Sequence, residues 1–237
     1  MDRSKDQKRV NQSSFELVKM EQKPPITWNT KLRYSLPLCA FFVISYVIPN
    51  RVQFIEPKTL PLLFVDNIIP LIPWTIFIYL TEYFIYFVVL IFIFDKLTFR
   101  RLLLSFMFMF LISMIAFFLY PTILLERPVV NGTGTAYFLF RFLHFVDNPV
   151  NCFPSQHVAI VSIPGMIFWR ESRKTSILFW LWAILVSIST LTIKQHYVVD
   201  VFGGLLLAAF SVVLADKFNK EGFREKLPAL FQKMLPN

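Results

Sequence analysis

The chain has 237 residues, of which 56% are hydrophobic, 17% aromatic and only 16% charged, with a mean hydropathy of +0.57 and a formal net charge of +9. Soluble domains run at about 45–50% apolar and about 25% charged residues, so this balance points to lipid as the solvent and argues against a water-soluble enzyme. The low charge also argues against a disordered chain, 6 Gly against a collagen-like one, and 2 Cys in apolar or pre-helical surroundings against a disulfide scaffold.

The first 33 residues are polar and basic and lack a short apolar core ahead of a small-residue cleavage site, so no removable signal peptide is expected. A bilayer core of about 30 Å needs about 20 mostly apolar residues per helix. By that ruler six spans follow, at 34–50, 70–94, 101–120, 155–169, 175–193 and 197–215. The 51–67 stretch, with Pro57 and Pro61, reads as a loop or short interfacial helix, and 121–153 is the one long connection. In the tail, 216–237, Phe218, Phe223, Leu227 and Leu230 alternate with lysines, which suits an amphipathic helix on an anionic leaflet. The expected architecture is an all-α, six-transmembrane-helix bundle over 34–215, between a basic N-terminal segment, 1–33, and the basic tail.

Eight of the 24 Lys and Arg lie in residues 1–33, three in the 95–101 turn, three in the 170–174 turn and five in the tail. Arg51, Lys58, Arg127, Arg141 and Lys194 remain for the opposite side. The positive-inside rule then makes both termini cytoplasmic and the loops at 51–67, 121–153 and 194–196 exoplasmic. The +9 is mostly an orientation device, and no nucleic-acid partner is expected.

Polar residues collect in three segments, 120–128, 151–157 and 189–200, all at exoplasmic ends of spans. Spans four and five form a hairpin, so His157 and His196 emerge on one face although 39 residues separate them. From Ser155 to Arg170 is 16 residues, about 24 Å at 1.5 Å per residue, which sinks His157 to the level of the lipid headgroups. Ser155 reads as a helix N-cap, and the unpaired backbone N–H groups of Ser155, Gln156 and His157 form an anion site. Asp200, four residues after His196, can orient the imidazole and stabilise its positive form. Arg127 offers a guanidinium fork to phosphate, and Lys194 a further cation.

Cation, helix N-terminus, two histidines and a carboxylate at one depth suit phosphoryl transfer without a metal or other cofactor. A His₂-carboxylate metal set of His157, His196 and Asp200 is a competing arrangement, with no fuller shell of ligands nearby. Glu82, an acid inside the second span, is either functional or a structural hydrogen-bonding group. Asp147 and His144 read as a surface turn or a lid, and Asn131-Gly-Thr133 fits a glycosylation sequon.

These residues resemble the type 2 phosphatidic acid phosphatase superfamily. Its signature is K-x6-R-P, then a Pro-Ser…His element, then S-R-x5-H-x3-D. Arg127-Pro128 matches the end of the first part, Pro154-Ser155-Gln156-His157 the second, and Ser189, His196 and Asp200 the third. Tyr120 and Thr190 stand where the pattern has Lys and Arg. The wording of the second and third parts looks more like the branch of inositol phosphorylceramide synthases and their bacterial relatives. The resemblance implies that His196 attacks phosphorus with help from Asp200, and that His157 serves the leaving alkoxide and then the acceptor. Arg127, Ser155 and the Gln156 and His157 amides would stabilise the equatorial oxygens. The expected substrate is a phospholipid, prenyl phosphate or sphingolipid in the bilayer, handled by a phosphatase, by a headgroup transferase with the same site, or by an idle phospholipid binder.

Overall fold

The computed structural model describes residues 25–125 and 127–219. Its first long helix, α1 (Trp28–Arg51), starts where the Thr27 hydroxyl accepts the Thr30 N–H, and it carries Pro37 and Pro49 internally. A two-residue strand β1 (Lys58–Thr59) and a short helix α2 (Phe64–Ile68) follow. The next rod is segmented: a 3₁₀ turn at Pro73–Thr75, α3 (Ile76–Leu80) and α4 (Glu82–Ile91), with a break at Thr81. Helix α5 (Lys96–Leu119) begins with Asp95 accepting the Thr98 N–H, and β2 (Thr122–Ile123) then pairs in parallel with β1. An intervening helix α6 (Thr135–Val146) leads to α7 (Gln156–Glu171), α8 (Arg173–Thr192) and α9 (Val198–Asn219).

These rods alternate in direction, so the loops after α1, α5 and α8 and the start of α7 share one end, the site end. Helices α5 and α7 form the middle of the bundle. Phe99, Phe106 and Met109 of α5 pack with Val161, Ile163 and Ile167 of α7, and Phe179 of α8 and Ala208 of α9 close the cluster. Outward positions are equally apolar, with Leu36, Phe84, Leu119, Phe202 and Leu206 exposed. Helices that are apolar all round, with their backbone groups bonded internally, are what a bilayer requires. The chain is a polytopic, all-α protein with five helical stretches long and apolar enough to cross a membrane among the described residues.

Six spans were expected. The fourth is α7, whose 16 residues, about 24 Å, fall short of the full-length criterion that the other five meet. The 121–153 connection also differs from expectation, because it contains α6, whose buried Phe140 and Leu143 pack with Ile76, Tyr79 and Ile193. The last span runs on to Asn219, where its amide and carbonyl meet Arg100. The rest of the expected amphipathic tail, 220–237, and residues 1–24 of the basic N-terminal segment lie outside the described residues.

Two close approaches place the site. At Gly204 of α9 an added Cβ would lie 2.4 Å from the Ser155 carbonyl oxygen, so only glycine admits the N-terminus of α7 here. The Ser155 N–H in turn donates to the Asp200 carbonyl at 3.1 Å. At the far end Arg101 bridges Asp216 at 2.5 Å and donates to the Ile167 carbonyl, locking α5, α9 and α7 together.

Candidate active site

The helical hairpin α7–α8 and the α8–α9 loop bring His157 and His196 together, with ring centroids 5.3 Å apart. Both are buried, and both line one small polar pocket together with Arg127, Asp147, Asn151 and Gln195. On α9, Asp200 presents Oδ2 to His196 Nδ1 at 3.4 Å, within ion-pair reach but long for a hydrogen bond. The same Oδ2 accepts the Tyr197 N–H at 2.8 Å. Such contacts in unliganded enzymes are commonly long and tighten around substrate. Because Nδ1 faces the carboxylate, Nε2 of His196 is the nitrogen left for chemistry.

His157 has its own carboxylate. Glu82, at the start of α4, places Oε1 against His157 Nδ1, and the Tyr79 hydroxyl lies 2.8 Å from Nε2. A carboxylate accepts only, so Nδ1 carries the proton of that bond, and Nε2 accepts from Tyr79 when the ring is neutral and donates when it is protonated. Glu82 and Tyr79 are 3% and 0% exposed, which removes a simple surface role for either. Tyr79 carried no signal in the sequence; a lone Tyr in an apolar span is unremarkable.

Arg127 is fastened to the loop before α7. Its Nη1 donates to the Asp147 carbonyl at 2.5 Å, and Nη2 reaches Asp147 Oδ2 at 3.5 Å and Gln195 Oε1 at 3.3 Å. The Asp147 carboxylate also accepts from Tyr46 and from Asn50, so this loop is a hydrogen-bonded wall of the pocket. Beside it, burial and then the Arg127 guanidinium push His144 down to about 4. Burial, followed by Asp200 and Asp147, pushes the Cys152 thiol up, which keeps it protonated.

Ser155 caps α7 by accepting the Val158 N–H at 3.4 Å, and Gln156 donates to Ser113 on α5 at 2.6 Å; neither lines the pocket. Lys194 is not brought to the pocket either. Its ammonium donates to the carbonyls of Asp66 and Ile69 at 2.8 and 2.5 Å, pinning the α8–α9 loop to α2. Asp66 completes that joint by accepting the Val198 N–H at 2.8 Å, at the start of α9. Lys58 stands over the ring of Tyr120 at 5.2 Å, beside the position where the signature has Lys. Thr190 is buried, and its carbonyl accepts the Gln195 and His196 N–H groups.

Buried polar atoms without a partner in the protein gather here: Glu82 Oε2, Arg127 Nε, both amide atoms of Asn151 and Asp200 Oδ1. An unpaired buried polar group costs about 1–3 kcal/mol, so such a concentration marks a place built for a polar ligand.

Residues 60–214, well over half of the chain, match the family model PAP2_3, described as the PAP2 superfamily. The chain belongs to the PAP2 superfamily. None of the curated proteins compared with it matches. The matched range runs from the loop after α1 into α9, so it holds every pocket residue except Tyr46, together with Tyr79, Glu82 and Asp200. A PAP2-superfamily protein generally acts on phosphate esters, and membership suggests activity on lipid phosphates.

Proposed function

We propose that this PAP2-superfamily protein is a membrane lipid phosphate phosphatase that works through a phosphohistidine on the exoplasmic face. The observation that carries the reading is the pair of buried imidazoles on one polar pocket, each backed by a carboxylate: His196 by Asp200 and His157 by Glu82. Nε2 of His196 forms the N–P bond while the bond from phosphorus to the lipid oxygen breaks, and His157 supplies the proton that oxygen takes up. Water then attacks phosphorus and gives its proton to His157 while the N–P bond breaks, which frees Nε2 of His196 and releases inorganic phosphate. Arg127, Asn151 and the His157 N–H, all on the pocket, are the donors for the equatorial oxygens. The exoplasmic placement rests on the concentration of Lys and Arg at the far end of the bundle and on both flanking segments.

Purified protein, given phosphatidate, phosphatidylglycerol phosphate and a prenyl pyrophosphate, is expected to release phosphate from at least one and to retain that activity in EDTA. His196→Ala and His157→Ala should each lower turnover by at least about 10²-fold, with membrane insertion unchanged. Turnover retained in both variants sinks the reading. Labelled phosphate trapped on His196 supports it, and loss in EDTA restored by zinc replaces it with a metal mechanism. Tyr120 and Thr190, in place of the signature's Lys and Arg, favour a second reading, transfer of a phospho-headgroup to a lipid alcohol or polyol. A new phospholipid formed without free phosphate, on adding ceramide or diacylglycerol, would establish it.

A further inference from the structure

Beside Glu82 and Ile160, the latter one turn along α7 from His157, lies a second cavity of about 210 Å³, lined from α1, α4, α5 and α7. Its walls are apolar, chiefly Leu38, Phe42, Phe106, Phe110 and Ile160. Val43 on α1 and Tyr83 and Phe87 on α4 line it and are about half exposed, which places its rim on the outer, lipid-facing surface between those helices. Nearer the far end the two helices are joined: Tyr86 donates to Ser35 and Lys31 to the Leu90 carbonyl. The opening is therefore a window at mid-depth, closed below. One acid reaches it. Glu82 lines the cavity while its Oε1 holds His157, and its Oε2 is buried without a partner in the protein.

We propose that this cavity holds a hydrocarbon chain of the lipid substrate, carried by the oxygen that leaves phosphorus. The inference rests on the phosphatase reading of the His157–His196 site and names which part of the substrate is where. In-line displacement puts the leaving oxygen opposite His196, beside His157. Glu82 stands between the two spaces, holding His157 of the pocket and lining the cavity, so a chain on that oxygen that continues past His157 reaches the cavity beside Glu82. The pocket's other walls, with Arg127, Asp147, Asn148 and Gln195, are polar and suit the phosphate and the water. An apolar cavity of about 150 Å³ stays dry and accepts a ring of six carbons, so this larger space takes a longer segment of chain. Its window lets a lipid enter sideways without leaving the bilayer.

The test uses the full-length protein in nanodiscs. Cys39→Trp and Ile160→Phe each fill the cavity from a different helix. Each should raise KM for hexadecyl phosphate by on the order of 10-fold or more, since every methylene denied burial costs binding. Turnover of butyl phosphate should stay within about twofold of wild type, since a chain that short makes little use of the cavity. Equal losses on both substrates overturn the inference while leaving the phosphatase reading intact. Binding is read separately with hexadecanol bearing a diazirine midway along its chain. Crosslinks between Leu38 and Val43 or between Phe106 and Phe110, suppressed by unlabelled hexadecanol, support the site whether or not any ester is hydrolysed. Crosslinks confined to outward residues such as Phe84 and Phe202 overturn it. Specific crosslinks in a protein that hydrolyses nothing retain the chain site and sink the phosphatase reading.

Discussion

Two histidines in one pocket need different partners if one is to attack and the other is to manage protons. His196, in the loop before α9, receives Asp200 from the first turn of that helix, whereas His157 receives Glu82 from 75 positions away. Glu82 touches no reacting atom in the proposed mechanism and acts by positioning His157. Glu82→Gln keeps the shape, loses the charge and can donate where the carboxylate only accepts. It should lower kcat by about 10²–10⁴-fold, the contribution of a general acid–base group, with KM little changed. Glu82→Asp should recover part of that kcat, whereas a merely structural role predicts loss of folded protein in both. His144 offers a pH-linked counterpart. Its native value of about 4 lies below the ordinary 6.5, so the unfolded chain binds the proton first as pH falls. The stabilisation it provides is complete above about 6.5 and is lost as pH falls towards 4. Thermal unfolding in detergent should therefore show a smaller drop from pH 7 to pH 5 for His144→Gln than for wild type. An identical drop would remove His144 from the account.

At the scale of elements, the site is a joint between the N-terminus of α7 and the first turn of α9. The two glycines on α9 test that joint, because the atoms they face differ in freedom to move. A Cβ at Gly204 would meet the Ser155 carbonyl oxygen at 2.4 Å, and one at Gly203 would meet the Phe153 ring, also at 2.4 Å. A ring can swing away; a carbonyl oxygen at the start of a helix cannot. Gly204→Ala should cost about 1–3 kcal/mol and most of the activity, and Gly203→Ala clearly less, as read from unfolding midpoints and phosphate release. The parts of this joint that could be read from sequence are local ones: Ser155 before an apolar run, and His196 four residues ahead of Asp200. Contacts between distant elements left no such trace. Glu82 stood out only as an acid in a span, Asp66 and Lys194 gave no sign of meeting each other's loops, and α6 was hidden inside a connection by its exposed Arg141. A 24 Å estimate for the α7 segment did foreshadow a helix shorter than its neighbours, because rise per residue depends on no tertiary partner.

For the molecule as a whole, the bundle separates its charges from its chemistry. Arg101 with Asp216, Arg100 with Asn219 and Lys31 with the Leu90 carbonyl tie helices together at the far end, whereas the site end holds the pocket and the short β1–β2 pair. The far end also carries Arg170 in the last turn of α7 and Arg173 and Lys174 in the first turn of α8. Translocating such clusters across a bilayer is opposed, so the positive-inside rule predicts that end on the cytoplasmic side and the pocket on the other. The few cations left at the site end are engaged locally, Arg127 with Asp147 and Lys194 with two carbonyls, and they provide no competing orientation signal of similar size. Thr133, exposed on the loop before α6, and Lys174, exposed in the first turn of α8, report the two ends. With Cys39 and Cys152 replaced by Ser, Thr133→Cys in intact cells or right-side-out vesicles should react with a membrane-impermeant maleimide. Lys174→Cys should react only after permeabilisation. The reverse pattern would invert the molecule and put its histidines on the cytoplasmic side, where the lipid phosphates of the opposite leaflet would be its substrates.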